Sequence, residues 1–178
     1  DLMEQLWRHA VATARLAETF SGIVKGVPIH SVFLMALVHD IGKTVLLDAI
    51  TNRYRGRVGR LKESWDLLLH SLDEFGPYAG LRVVPHWKLT PEVRIATFYS
   101  AEPEAAPAAY RKSALLIALA RAGANTCGYG VTGAQPNMES LAADLATELA
   151  AELGVSGLDD IMATADAQIS PYLDFAQV

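Results

Sequence analysis

A histidine and an aspartate follow directly on a long apolar run of the chain. Residues 32–38 are seven consecutive apolar side chains, and His39 and Asp40 come next. Such a run is typical of a helix that is buried on all sides. A buried imidazole or carboxylate is unfavourable unless it is hydrogen-bonded, paired with a charge or bound to a metal. The sequence therefore predicts that other groups meet His39 and Asp40 in the interior.

His9 is the histidine best placed to meet that pair. It falls on the inward side of the first predicted helix, and an antiparallel second helix would bring His9, His39 and Asp40 together. Two imidazoles and a carboxylate suit Mn, Fe, Zn or Mg. A cation held there would polarise a phosphoryl oxygen and lower the pKa of a bound water. Alternatively, the three side chains hydrogen-bond to one another without a metal.

The hydrophobic pattern that must position these residues predicts an all-α fold, because strict alternation of β-branched residues persists nowhere. We expect helices over residues 2–20, 29–50, 61–72, 78–87, 92–100, 108–126, 138–153 and from 156 or 157 to about 171. Gly42 should bend the second helix, and Gly76-Pro77 should separate the third from the fourth. We expect three aromatic anchors of the core: Trp7, Trp65 and Trp87.

Length and composition favour one domain with a sizeable core. The chain has 178 residues, of which 51% are hydrophobic. The glycine-rich stretch 128–136 is the best internal boundary. It divides a helical core, residues 1–128, from C-terminal helices, residues 129–178, which we expect to pack on the core within the same domain. The chain begins at Asp1, which is compatible with a piece of a longer protein.

Charge and cysteine content bound the location and the partners. No apolar run is long enough to cross a membrane, and the single Cys127 fits a reducing cytoplasm. The net charge of −5 makes nucleic acid an unfavourable partner. The segment 53–62 nevertheless holds five cations and no acid, so it is either a solvated loop or a contact for a phosphate or an acidic partner. These cations are Arg53, Arg55, Arg57, Arg60 and Lys62.

Two motifs resemble the HD superfamily of metal-dependent phosphohydrolases, and within it the HDOD branch. The first is Trp7-Arg8-His9, and the second is His39-Asp40-Ile41-Gly42-Lys43. Gly80, Leu81, Trp87 and Pro91 stand where that branch has its later glycine, leucine, tryptophan and proline. The resemblance spans roughly residues 4–125 and implies an HD-type helical bundle with an additional C-terminal helical segment.

The resemblance also implies that the metal site is vestigial. It maps the first metal ligands onto His9, His39 and Asp40, and it implies that Lys43 contacts a phosphate in active relatives. In this chain we favour a solvated or carbonyl-bonded Lys43. The remaining ligand positions of active relatives correspond here to Gly76, Ser100, Ala101 and Ala120-Arg121. Arg121 would place a positive charge where a cation should sit, and could pair with Asp40.

We therefore expect a non-catalytic signal-transduction domain of a bacterial protein. The resemblance implies a signalling protein or a neighbouring regulatory domain as its partner, and no cofactor. The apolar, Ala-rich C-terminal region is compatible with a homodimer. The alternative is a metal-dependent phosphohydrolase that acts on a nucleotide or cyclic dinucleotide with Mn, Fe or Mg. A nucleotide-binding sensor that lacks hydrolysis is a third hypothesis.

Overall fold

Helices make up all the regular structure of the described residues. The computed structural model describes residues 2–53, 64–131 and 138–173. Its α-helices are α1 (Leu2–Ser21), α2 (Ile29–Leu37), α3 (Ile41–Arg53), α4 (Trp65–Val83), α5 (Pro91–Tyr99), α6 (Arg111–Ala124), α7 (Met138–Leu153) and α8 (Leu158–Leu173). Short 3₁₀ turns cover Val84–Trp87 and Pro103–Ala105, and a π-helical turn covers Asn125–Tyr129. The all-α prediction is confirmed for these residues.

Helix α6 is the centre of the core. Every residue from 113 to 124 is buried except Arg121, which is half-buried. Helices α1, α2 and α7 pack directly against α6, and α1 contributes Leu16, Ala17 and Phe20 to the same core cluster. An apolar helix of this kind is stable only where neighbouring helices cover all its faces. Arg121 is thus the one charged side chain within an otherwise apolar stretch.

The C-terminal helices share that core. Ala146 and Leu149 of α7 and Ala165 and Ile169 of α8 are buried in one cluster with the residues of α1 and α6. A second, smaller cluster lies at the beginning of α1, where α3 and α4 meet it. The division at residue 128 remains a prediction, but the packing joins the two parts through one apolar core.

The chain breaks between α2 and α3 at the His-Asp pair. The predicted continuous helix over residues 29–50 is wrong, because α2 ends at Leu37 and α3 begins at Ile41. The prediction that the first of these helices is buried on all sides is also wrong, since Phe33 and Leu34 are exposed. Because His39 and Asp40 lie in this non-helical break, their side chains need not point about 100° apart around a helix axis, and both can face α1.

Gly76-Pro77 does not interrupt α4, contrary to the sequence prediction. Gly76 and Gly80 lie on the face of α4 that meets α3 at Gly42. A Cβ atom on Gly42 would lie 1.8 Å from the Gly76 carbonyl oxygen, and one on Gly80 would lie 2.5 Å from Thr97 Cγ2 in α5. Pro77 removes one helical hydrogen bond. The close contacts of α4 with α3 and α5 compensate for that loss.

Two of the predicted aromatic anchors lie at the surface. Trp7 is 48% exposed and Trp87 is 47% exposed, whereas Trp65 is partly buried. The core prediction is therefore wrong for Trp7 and Trp87. None of the helices within residues 2–53, 64–131 and 138–173 combines the length and apolar character that crossing a bilayer requires.

Candidate functional site

His9 enters the site from the middle of α1 with its tautomer fixed. Its Nδ1 atom donates a hydrogen bond to the Tyr129 carbonyl oxygen at 3.0 Å. A carbonyl oxygen can only accept, so the proton of the neutral ring is on Nδ1 and the lone pair is on Nε2. That Nε2 atom faces Asp40, with 3.9 Å between Nε2 and Oδ2. The π-helical turn that carries Tyr129 thereby sets the orientation of His9.

His39 has the same arrangement, built by the break after α2. Its Nδ1 atom donates to the Ala36 carbonyl oxygen at 2.6 Å, in the last turn of α2, and that oxygen also accepts the His39 backbone N–H at 3.4 Å. Its Nε2 atom is buried, has no hydrogen-bond partner among the described residues and lies 3.5 Å from Asp40 Oδ2. The rings of His9 and His39 are 5.2 Å apart between centroids. Both lone pairs therefore face the same carboxylate.

Lys43 pairs with that carboxylate. Its Nζ atom lies 2.9 Å from Asp40 Oδ2 and 2.7 Å from Asp73 Oδ1 of α4. Lys43 is only 8% exposed, so the prediction of a solvated or carbonyl-bonded lysine is wrong. Arg121 lines the same cavity, but no ion pair joins it to Asp40 in the described structure. The ammonium group of Lys43, rather than the guanidinium of Arg121, neutralises Asp40.

The charges of the site follow from burial and from this pairing. Burial lowers the pKa of His9 from 6.5 to about 3, and the neighbouring His39 acts in the same direction. Burial also lowers the pKa of His39, against the opposing effect of Asp40. For Asp40, burial acts to raise the pKa, but His39, Lys43 and Arg121 together lower it well below its usual value. At neutral pH the site thus holds two neutral imidazoles and an ionised carboxylate.

These groups include three possible metal ligands and an ammonium group that would compete with a metal ion. One ligand atom from each of His9, His39 and Asp40 lies within 4.8 Å of the others. Two neutral imidazoles and a carboxylate match a facial triad. However, a divalent cation bound at Asp40 Oδ2 would lie beside the Lys43 ammonium and be repelled by it. The donor set therefore does not fit a tightly bound metal while Lys43 stays in this position.

The positions where active relatives carry further ligands supply none here. Gly76 faces Lys43, and a Cβ atom on Gly76 would lie 2.8 Å from Lys43 Cγ. Ser100 is buried and lines a separate cavity with the exposed Ala101. Arg121 lines both cavities. Among the described residues, the structure brings no fourth carboxylate or imidazole to His9, His39 and Asp40.

The cavity over the site is small. It measures about 200 Å³, and its lining includes His9, Asp40, Lys43, Arg121, Gly128 and Gly130. Pockets that enclose a drug-sized ligand usually measure roughly 300–1,000 Å³. The described residues therefore form a pocket suited to waters or a small ion rather than to a whole nucleotide.

Several residues considered from the sequence lie elsewhere. Arg53 is exposed at the end of α3, and Arg55, Arg57 and Arg60 lie outside the described residues. His30, His70 and His86 are exposed and take no part in the site. The sequence motifs did not point to Asp73 or Tyr129. Asp73 precedes Gly76 by one helical turn, so a prediction of α4 as one continuous helix would have placed both on the same face.

The N-terminal part of the chain matches a known protein family. The family model of the HDOD domain matches residues 1–103, more than half of the chain, including both motifs. The chain belongs to the HDOD family. No curated protein and no solved structure matches it. Within this HDOD chain, the matched region ends shortly after α5, and α6 to α8 lie beyond it.

Proposed function

We propose that this HDOD chain is a non-catalytic signal-transduction domain. It acts through contacts with a signalling protein or a neighbouring regulatory domain, or through a conformational change that a ligand induces. The observation that supports this proposal is the Lys43 ammonium, 2.9 Å from Asp40 and 2.7 Å from Asp73. Its positive charge beside Asp40 would repel the divalent cation on which hydrolysis in this superfamily would depend.

Electrostatics gives a reason to keep the Asp40–Lys43 pair even in a protein that catalyses no reaction. Removal of one partner from a buried ion pair is strongly destabilising, by about 3–5 kcal/mol, because it leaves an uncompensated charge. Asp40 and Lys43 therefore support each other as parts of the fold, and His9 and His39 support the surrounding helices. The motif can persist for its contribution to core geometry alone.

Metal analysis combined with an activity assay tests this proposal. We expect purified protein to hold no stoichiometric Mn, Fe, Zn or Mg after dialysis, and to release no phosphate from nucleotides or cyclic dinucleotides with added Mn or Mg. Stoichiometric metal that survives dialysis, with turnover that Asp40→Ala abolishes and Asp48→Ala retains, would show the opposite. Asp48 is the matched control because it is an exposed aspartate on the same helix, α3.

One observation favours a second candidate function, a metal-dependent phosphohydrolase. Both Nδ1 atoms donate to backbone carbonyls, so both Nε2 lone pairs are directed toward Asp40. Backbone partners of this kind orient histidines in metal centres. A hydrolase would require Lys43 to leave Asp40 and contact a substrate phosphate instead. The same metal and activity measurements separate the two candidates.

A further inference from the structure

Another cavity shares Asp73 with the site. It is an open groove of about 620 Å³ between the middle of α4 and the end of α5. Aromatic side chains from both helices line it, and two of them, Phe75 and Tyr78, are 52% and 62% exposed. Exposure of aromatic rings is unfavourable, and a cluster of them is typical of an interaction surface.

The rings of this aromatic groove are already arranged edge to face. Phe98 contacts Tyr78 with 5.5 Å between centroids and Tyr99 with 4.8 Å, both at nearly right angles. Such packing orders the rings, while Tyr78 remains 62% exposed. The face of an aromatic ring carries negative charge and attracts ammonium or guanidinium groups.

The charged side chains of the aromatic groove all have the same sign. Asp73, Glu74 and Glu102 line it together with the rings, whereas no lysine, arginine or histidine of the described part of the chain does. Asp73 pairs with Lys43, and Glu74 lies 3.7 Å from His70 Nε2, whereas Glu102 forms no ion pair with any described residue. We propose that the groove binds an arginine- or lysine-bearing peptide segment of a partner protein, with its cationic head on Tyr78 and between the carboxylates.

Asp73 connects the aromatic groove to the central site. Its carboxylate accepts Lys43 at 2.7 Å, yet its side chain is 64% exposed and lines the groove. An incoming cation therefore competes with Lys43 for Asp73. If the incoming cation displaces Lys43 from Asp73, Lys43 keeps its contact with Asp40. The electrostatic potential at His9 and His39 then changes. This coupling rests on the proposed metal-free function, whereas the binding of the peptide does not.

Fluorescence anisotropy with the full chain tests the binding. The probe is a short fluorescein-labelled peptide of alternating arginine and glycine, and its control carries glutamate in place of arginine. We expect binding of the arginine peptide only, weakening as salt rises. Glu102→Gln and Tyr78→Ala should each weaken it about two- to fivefold, as the loss of one exposed charge pair or cation–π contact implies.

Two matched variants serve as controls. Glu148→Gln on α7 and Tyr172→Ala on α8 change exposed residues of the same types outside the aromatic groove and should leave the affinity unchanged. Equal affinity in Tyr78→Ala, Glu102→Gln and the native chain overturns the proposal. The proposal is also overturned if the native chain binds no peptide but sediments as a dimer that Glu102→Gln converts to a monomer. A second copy of the chain would then be the occupant of the groove.

The coupling has its own readout in the ring signals of His9 and His39 by NMR. We expect the arginine peptide to shift them in the native chain and not in Asp73→Asn. Metal content is measured on the same sample. Stoichiometric metal there contradicts the proposed function whatever the peptide does. A metal-free sample whose ring signals ignore a bound peptide contradicts the coupling alone.

Discussion

At the scale of single residues, the site is defined by a lysine that pairs with two aspartates. Lys43 reaches Asp40 from one helical turn away and Asp73 from across the α3–α4 contact. The ammonium carries one charge, and a divalent ion in the same place would carry two. The Nε2 lone pair of His39 is left without a hydrogen-bond partner among the described residues. Replacement of Lys43 is therefore the most direct way to ask what the site prefers.

Lys43→Met should destabilise the protein and create a metal dependence. Asp40 would remain buried without its cation, which we expect to lower the free energy of unfolding by about 3 kcal/mol. With the competing charge gone, Mn or Zn should bind the three remaining donors and recover part of that loss. Urea unfolding with EDTA or with added metal measures both effects.

Two comparisons make the Lys43 experiment decisive. The native chain should show no stabilisation by the same metals, and the double variant Lys43→Met/Asp40→Asn should recover stability without metal. If native protein and Lys43→Met respond equally to Mn, then Lys43 does not exclude the cation, and the proposed function loses its support.

Acidification should destabilise the fold through the two buried histidines. The folded-state pKa of His9, about 3, and that of His39 lie below the 6.5 of an unperturbed histidine, so the unfolded chain binds more protons as pH falls through 6.5. Stability is thus highest above pH 6.5. His9 alone should account for a loss of about 2 kcal/mol between pH 6.5 and about 5. Asp40 acts in the same direction at lower pH, where its carboxylate becomes protonated in the unfolded chain.

Urea unfolding of metal-free protein at several pH values measures this slope. His9→Gln should reduce the slope, whereas His70→Gln, which changes an exposed histidine on α4, should not. A slope that is the same in His9→Gln as in the native chain would mean that His9 is not buried in its neutral form.

At the scale of helices, three glycines set how closely α3 and α4 approach. Gly42 on α3 faces Gly76 and Gly80 on α4, and no side chain separates the two backbones. This approach brings Asp73 within reach of Lys43. The sequence contains these glycines, but local rules assign glycine and proline to breaks. Contacts between distant segments decide instead that α4 runs through Gly76-Pro77, which explains why that prediction was wrong.

Gly42→Ala should lower the free energy of unfolding by about 3 kcal/mol. Alanine favours a helix over glycine by about 1 kcal/mol, but its Cβ atom would lie 1.8 Å from the Gly76 carbonyl oxygen and force α3 and α4 apart. Urea unfolding measures the change. Gly22→Ala is the control, because the nearest atom to its Cβ is the Thr19 carbonyl oxygen at 3.4 Å. Equal stability of the two variants would show that α3 and α4 are farther apart than described.

At the scale of the whole molecule, the sequence predicted the helical class and most of the residues that the site brings together. The spacing of apolar residues and the presence of polar residues within apolar runs are local signals. His9, His39 and Asp40 could therefore be selected without a structure. The Tyr129 carbonyl could not be, since it reaches the site only through the packing of distant segments, and Asp73 required α4 to be predicted as one continuous helix. The same distinction applies to Trp7 and Trp87, whose exposure depends on how the helices assemble.

The C-terminal helices are tied to the site through Tyr129. Its carbonyl oxygen accepts from His9, and its hydroxyl donates to Asp166 of α8. Burial and that carboxylate raise the pKa of Tyr129 to about 12, so the hydroxyl remains a donor at neutral pH. With the buried Ile169 and Ala165 packed in the main core cluster, α8 should unfold together with the residues of the HDOD match.

Ile169→Ala tests whether the chain unfolds as one cooperative unit. Ile169 is fully buried, so its truncation should cost about 2–5 kcal/mol. All three tryptophans lie within the first 87 residues, so their fluorescence reports on the N-terminal part alone. In a single unit, Ile169→Ala shifts the fluorescence and circular dichroism transitions together to lower urea concentration. Leu145→Ala, at a leucine that is 47% exposed on α7, should shift neither. If Ile169→Ala leaves the midpoint of the fluorescence transition unchanged, the helices beyond residue 128 fold separately from the site.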